Sequence, residues 1–454
     1  MSGGFENLEG FILEKMSRTK IPGLSIALVQ GDETIYARGF GFRNLSSGLP
    51  ATPRTLYGIG SVTKSFTAMA IMQLVEEGKI NLDDPIEEYV SVKLRPFGKT
   101  VSIHHLLTHS SGVPALAYAE AFIRGVLGLD HHWLPVSSPE DIIAFMRNAE
   151  KWAVSRPGEN FFYLNEGYVL LGHIISKLSG ASYEECIRKR ILEPLRMSRT
   201  LFSKSDIAND KDRAAAYIVD REEKHILSSF PFGITADGGL ISNVLDLSNY
   251  VKTHIGRGEF EGRRIVSSKM LELMEKTHVN LPYKVFGGES YGYGWMITPN
   301  FHGYRLVSHG GSVLVYTAYV GYIPEKKVGV ALLANASGYL LSHIGGYALS
   351  QLLGVDPETA PFIRSDRILG KLEGGYETYM GTMKADVKKK GDFLYIAIKD
   401  RYTEEIAPLI PQELEEDHAV FYTLSGGRRY TADFKVEEDG IELIYERYKL
   451  MKRS

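Results

Sequence analysis

The chain has 454 residues, of which 44% are hydrophobic, 11% aromatic and 24% charged, a composition that excludes extensive disorder and low complexity. Its length exceeds one ordinary compact core, so a large domain with a smaller companion is expected. With 52 basic against 55 acidic side chains and a net charge of −3, no basic excess draws it to nucleic acid or an anionic membrane.

The N-terminal stretch MSGGFENLEGFILEKMSRTK carries acidic residues early and lacks a basic segment followed by an uninterrupted apolar run. No later segment approaches about 18 consecutive apolar residues, so a cytoplasmic protein with no membrane partner is expected. Ser17-Arg18-Thr19-Lys20 matches the pattern S-x-x-K, but Ile21-Pro22-Gly23 follows it, ending a helix rather than starting one. Residues 24–41 read as a hairpin, LSIALV and TIYARGFG, joined at QGDE.

A second S-x-x-K, Ser61 to Lys64, sits where the glycine-broken segment Tyr57-Gly58-Ile59-Gly60 runs into SFTAMAIMQLVEEG. That run predicts a helix with apolar positions at Phe66, Met69, Ala70 and Leu74. Residues three apart share a helix face, which brings the Ser61 hydroxyl and the Lys64 amine within hydrogen-bonding reach. The unpaired N–H groups of a helix start favour an oxyanion at the same point. A serine becomes nucleophilic only when a base takes its proton, and lysine is that base only when burial or nearby positive charge destabilises its ammonium. Partners are therefore required downstream.

His104, His105 and His109, with His131 and His132, could be drawn as a metal cluster. No Asp or Glu falls in a ligand frame such as H-E-x-x-H, so capping or core packing is expected instead. In RPGENFFYLNEGY (156–168), Tyr163 offers a phenolate base or a proton relay, and Asn165 an amide for Lys64 or the substrate. An aromatic core strand or turn is the alternative reading. Cys186 is the only cysteine, which excludes an intrachain disulfide; it falls in the helix-like SYEECIRKRIL and reads as a small core residue.

Further on, YRLVSHGG, YTAYVGYIP and VGVALLANA read as strands, with the turn PEKK between the last two and a helix-like run from Tyr339 to Leu353. His309-Gly310-Gly311-Ser312 lies in the first of these strands. Paired glycines there mark a bulge or the close approach of a backbone or ligand, so His309 is either beside a substrate or a satisfied strand histidine. His343-Ile344-Gly345 has similar spacing but falls in the helix-like run. Two groups of strands with helices between them fit one mixed sheet covered by helices.

In GVDPETAPFIRSD two prolines and scattered charges interrupt both periodicities, which suggests a linker at 355–366 between a domain of residues 1–354 and one of residues 367–454. GYETYMG, TMKADVKKKGDFLYIAIKD, HAVFYTL, RRYTADFKVEEDGIELIYER and YKLMK then predict a small antiparallel, lipocalin-like β-barrel. Lys388-Lys389-Lys390 reads as protection for a strand edge, and Glu413, Glu415, Glu416 and Asp417 as a solvated loop. Tyr376, Tyr379, Phe393, Tyr395, Phe421 and Tyr422 either pack a core or line a ligand cup.

Taken in order, Ser61 to Lys64, Tyr163 to Asn165 and His309 to Gly311 resemble the S-x-x-K, Y-x-N and Lys/His-x-Gly signatures of the serine β-lactamase and penicillin-binding-protein superfamily. VSIHHLLTHSSGVP (101–114), RPGENFFYLNEGYVLLGHII (156–175), ILEPLRMSRT (191–200) and DGGLISNVLDLSNY (237–250) are similar to its CubicO-type branch, and the resemblance spans residues 10–353. It implies an α/β (α+β) catalytic domain of the β-lactamase/transpeptidase type, with helices around a mixed antiparallel sheet. It further implies acyl transfer through a serine ester, with Ser61 as nucleophile, Lys64 and Tyr163 as the base pair, Asn165 as organiser, and no metal or organic cofactor. Substrate contacts are implied for Asn165, His309, Gly310, Gly311 and Ser312, and an oxyanion hole for the backbone N–H groups of Ser61 and Ser312.

Where class C lactamases carry Lys-Thr-Gly, this chain has His309-Gly310-Gly311. A histidine near its reference pKa of about 6.5 offers no dependable charge for a substrate carboxylate. An H-x-G version is typical of D-aminopeptidases, alkaline D-peptidases and some D-Ala-D-Ala carboxypeptidases. The resemblance therefore implies a serine peptidase or amidase acting on short peptides, D-residue peptides included. Esterase or β-lactamase activity at the same site, and a non-catalytic peptide- or ligand-binding protein, are the alternatives. The D-aminopeptidases similarly append antiparallel β-barrels, so residues 367–454 are expected to limit substrate size, alone or through self-association into a homo-oligomer.

Overall fold

The computed structural model describes residues 4–129, 134, 136–202, 204–208, 210–233, 235–282, 288–337, 340–399 and 402–453, in two units, Met1–Val355 and Asp356–Ser454. In the first unit the helix Glu6–Thr19 ends where Lys20 turns left-handed, φ 59°, so Ser17 to Lys20 closes a helix, as its sequence context implies. Strands β1 (Gly23–Gln30), β2 (Glu33–Asn44) and β3 (Leu49–Pro50) follow. After a long helical stretch come β4 (Val279–Asn280), β5 (Ser290–Tyr291), β6 (Met296–Phe301), β7 (Tyr304–Ser312), β8 (Thr317–Ile323) and β9 (Val328–Ala334).

These strands form one nine-stranded antiparallel sheet in the order β4-β5-β6-β7-β8-β9-β1-β2-β3. The two ends of the unit meet where β9 pairs with β1, Leu24 opposite Ala334. Alternate residues of a strand point to opposite faces, and β8 shows both faces covered. Tyr319 meets the helix Leu341–Leu352 at Gly345, where a Cβ would lie 2.3 Å from its ring. Tyr322, on the other face, shares a hydrogen bond of 3.0 Å between its hydroxyl and Nδ1 of His254 on the helix Val244–Ile255. Burial on both faces explains why β1 and β9 read as continuous apolar runs rather than alternating ones.

The helix Thr63–Glu76 lies deeper than its four apolar positions suggest: every residue from Thr63 to Leu74 is buried, which makes it a central helix enclosed all round. Cys186 is buried in the helix Tyr183–Ile187, and Nδ1 of His105 accepts from the Ser102 N–H at 3.0 Å to cap the helix Ile103–Leu107. Among the described residues no group of three or more His, Cys, Asp or Glu is arranged to hold a metal ion; His131 and His132 lie outside those residues, as does Tyr339. No described helix is long and apolar enough to cross a membrane.

The second unit corrects several expectations. Residues 355–366 are not an irregular linker, because a 3-10 turn at Pro357–Thr359 leads into the helix Pro361–Leu372, with Pro361 at its first position. Its Ile368, Leu369 and Leu372 join the unit's apolar core. Strands β10 (Gly374–Glu377), β11 (Lys384–Lys390), β12 (Phe393–Lys399), β13 (Glu404–Leu414), β14 (His418–Ser425), β15 (Arg428–Glu437), β16 (Gly440–Tyr445) and β17 (Tyr448–Lys452) close in chain order into an antiparallel barrel. The sequence reading lacked β13, whose alternation is hidden by Pro408 and Pro411; the register breaks between Pro411 and Glu413, the kind of bulge that accommodates proline. Glu413 thus belongs to a strand. Closure also leaves no edge for the lysine run to protect, and Lys389 pairs instead with Asp366. The six aromatics share no cup: Tyr376 and Phe421 are core residues, whereas Tyr379 is 87% exposed and Phe393 48% exposed.

Candidate functional site

Ser61 sits in the 3-10 turn Gly60–Val62 that feeds the helix Thr63–Glu76. One turn on, Lys64 Nζ donates to Ser61 Oγ at 3.1 Å and to the main-chain oxygen of Asp237 at 2.6 Å. Lys64 is fully buried, and burial pulls its pKa down to about 8 against the opposing charges of Asp237, Glu120 and Glu166. Loss of hydration is therefore what makes this ammonium give up its proton near neutral pH.

The ring of Tyr163 lies 4.9 Å from Lys64 Nζ and that of Tyr168 5.6 Å. Asn165 opens the helix Asn165–Ser179. His109 braces this segment: its carbonyl accepts from the Phe162 N–H at 2.8 Å, its Nδ1 accepts from the Leu164 N–H at 2.9 Å, and its ring packs 4.1 Å from that of Tyr163. Burial, reinforced by the Lys64 charge, holds the His109 pKa well below its ordinary value, which suits a neutral acceptor.

His309 lies in β7, buried. Its Nδ1 is 2.6 Å from the Gly310 carbonyl, to which it donates, so its Nε2 accepts from the Tyr291 hydroxyl at 2.9 Å. Burial pulls its pKa down to about 4, and the imidazole is neutral at pH 7. Two glycines let β7 run against the Ser61 turn. A Cβ on Gly311 would lie 2.0 Å from the Ile59 oxygen and 3.1 Å from the Ser61 nitrogen; one on Gly60, φ 50°, would lie 2.7 Å from the Ser312 nitrogen. The main-chain N–H groups of Ser61 and Ser312 are thereby brought close together.

A cleft of about 720 Å³ is lined by Ser61, Tyr163, Asn165, His309, Gly310, Gly311 and Ser312. Lys64 lies beneath Ser61 rather than in the wall. The fold thus gathers Ser61, Lys64, Tyr163, Asn165 and His309 to Ser312, from three segments, around one hydroxyl. Such an arrangement can deprotonate a serine and stabilise an oxyanion beside it.

Sequence reasoning missed Tyr118, Glu166 and Asp237. The Tyr118 hydroxyl donates to Asp237 Oδ2 at 2.5 Å, and Glu166 Oε1 accepts from the Tyr118 N–H at 3.2 Å. Burial raises the Asp237 pKa and carries that of Glu166 up to about 7. The signals were an acid directly after Asn165 and an acid directly before Gly238-Gly239, but neither spacing says what the carboxyl meets.

A family model described as Beta-lactamase matches residues 8–352, and one described as Pab87 octamerisation domain matches residues 357–451. The structure of the octameric penicillin-binding protein homologue from Pyrococcus abyssi is 55% identical to this chain, with a TM-score of 0.95 and 100% of both chains covered. Protein flp of Staphylococcus aureus (strain COL) is 24% identical over 346 residues, 73% of this chain; the chain spans 63% of that relative's length. The D-stereospecific amidohydrolase from Streptomyces sp. shares the fold, at 24% identity and a TM-score of 0.63 over 77% of this chain and 99% of its own.

Proposed function

The chain belongs to the beta-lactamase family, and from that premise we propose that it is a serine peptidase or amidase that cleaves short peptides, D-residue peptides included, through an acyl-enzyme. The observation that carries the chemistry is the Lys64 Nζ to Ser61 Oγ contact of 3.1 Å with Lys64 wholly buried. In its neutral form Lys64 takes the Ser61 proton, and Oγ attacks the scissile carbonyl carbon. The resulting oxyanion accepts from the N–H groups of Ser61 and Ser312. As the tetrahedral centre collapses, the C–N bond breaks and the leaving nitrogen receives the proton from Lys64 by way of Tyr163. Water then hydrolyses the ester by the same route, and Asn165 orients the substrate.

The substrate class rests on His309. A lactam carboxylate seeks a fixed positive charge, and a neutral imidazole with both nitrogens engaged supplies none. A fluorophosphonate probe tests the nucleophile: labelling at Ser61, lost in Ser61→Ala, is expected. A digest of peptides carrying either enantiomer at each position tests the substrate. Rapid turnover of nitrocefin with no peptide cleaved would sink the peptidase reading.

We further propose that the chain assembles as a homo-octamer through residues 357–451. The match to the octamerisation-domain model and the 55% identity to an octameric protein support this. Light scattering should then return eight times the 50.7 kDa chain mass.

A further inference from the structure

We propose that Asp237, its carboxylate fastened by the Tyr118 hydroxyl, is a positioning residue that sets the orientation and the counter-charge of Lys64. This rests on reading Ser61 and Lys64 as nucleophile and base. Asp237 acts on Lys64 twice over: its main-chain oxygen takes the ammonium at 2.6 Å, and its side chain supplies a negative charge from the same residue. Asp237 is only 7% exposed. Its Oδ2 is held by Tyr118, while no donor among the described residues reaches the buried Oδ1. A carboxylate left half bare in a protein interior is costly unless a cation neutralises it, and Lys64 is that cation.

The support extends outward. Tyr118 is itself clamped at its N–H by Glu166, the neighbour of Asn165, so the chain of contacts runs Glu166, Tyr118, Asp237, Lys64, Ser61. The titratable groups facing the Lys64–Asp237 pair come from every surrounding element. They are Tyr118 and Glu120 on the helix Tyr118–Val126, Tyr163, with Glu166 and Tyr168 on the helix Asn165–Ser179, Tyr183 on the helix Tyr183–Ile187, His109, and His309 on β7. The two histidines are neutral, which leaves Asp237 first among the charges acting on Lys64.

The test is the second-order rate of Ser61 labelling by a fluorophosphonate probe against pH, on the full chain and on Asp237→Asn, Tyr118→Phe and the double variant. The acidic limb reports loss of the Lys64 proton. Asn keeps the shape and the acceptor for Tyr118 but removes the charge, so the limb should move toward acid by about one pH unit. Tyr118→Phe removes the donor that stabilises the carboxylate and should move the limb the same way by less. The double variant should match Asp237→Asn, because both changes act through one charge. A limb that stays where it is in folded Asp237→Asn and Tyr118→Phe would overturn the proposal. If Asp237→Asn does not fold, Tyr118→Phe decides alone. Failure of the unmodified chain to label at Ser61 would instead overturn the underlying reading of the nucleophile.

Discussion

Around Ser61 the first unit buries Lys64, Asp237, Glu166, His109 and His309, whereas the described residues of the second unit bury Thr423 and, paired to Asp366, the Lys389 side chain. The barrel core is otherwise aliphatic and aromatic, with Leu394, Leu409, Phe421, Phe434 and Leu443 fully enclosed. Interior charge is expensive, so a unit that only has to hold its shape excludes it. Where buried titratable groups gather around one hydroxyl, several pKa values shift together, the pattern of sites built for proton transfer. The contrast is one of interiors: buried titratable groups in the first unit, an aliphatic and aromatic core in the second.

The sharpest way to break this contrast is at the hydroxyl itself. Ser61→Ala should lower peptide turnover by on the order of 10⁶-fold, with the urea midpoint unchanged, because Ser61 is only half buried and removing its hydroxyl creates no cavity. Tyr163→Phe tests the proton route. It should cost about 10²- to 10⁴-fold in kcat, and more for amides than for activated esters, whose leaving groups need no proton. Comparing the two substrates on one variant decides it.

A smaller effect comes from pH. The folded pKa of Lys64 is depressed to about 8, and only the neutral amine can take the serine proton. The labelling rate should therefore rise about tenfold per pH unit below 8 and level off above it. A limb near the ordinary lysine value of about 10.4 would show that burial does not depress the Lys64 pKa.

The smallest expected effect on chemistry comes from the barrel. Phe421→Ala empties a fully buried position and should destabilise the second unit by about 3–5 kcal/mol. Calorimetry should register it as a lowered melting transition of the second unit, while the labelling rate of Ser61 per folded chain should stay within about twofold. A large loss of labelling in folded Phe421→Ala would erase the division of labour.

Much of this was legible in the sequence, for identifiable reasons. The strands and the hairpin turn follow from short-range patterns, which is why β1, β2 and β7 to β9 could be read directly. The two S-x-x-K segments show the limit of a motif. Ser17 to Lys20 and Ser61 to Lys64 have the same spacing, and their neighbours, Pro22 in one case and Gly60 in the other, distinguished a helix end from a helix start. Proline misled twice in the second unit, since Pro361 begins a helix and Pro408 and Pro411 sit within a strand. Local context cannot tell these uses apart, because each depends on which backbone N–H the fold leaves without a partner.

The sequence by itself pointed to the Ser61 hydroxyl, the amine one helical turn away and the glycines that let a strand come close, because each depends on residues adjacent in the chain. Only the tertiary structure decided how acidic or basic those groups are. Lys64 is desolvated by helices that surround it, His309 is made neutral by burial in its sheet, and Asp237 faces Tyr118 across 119 residues of chain. Proton affinity is a property of surroundings, and surroundings exist only once the chain has folded.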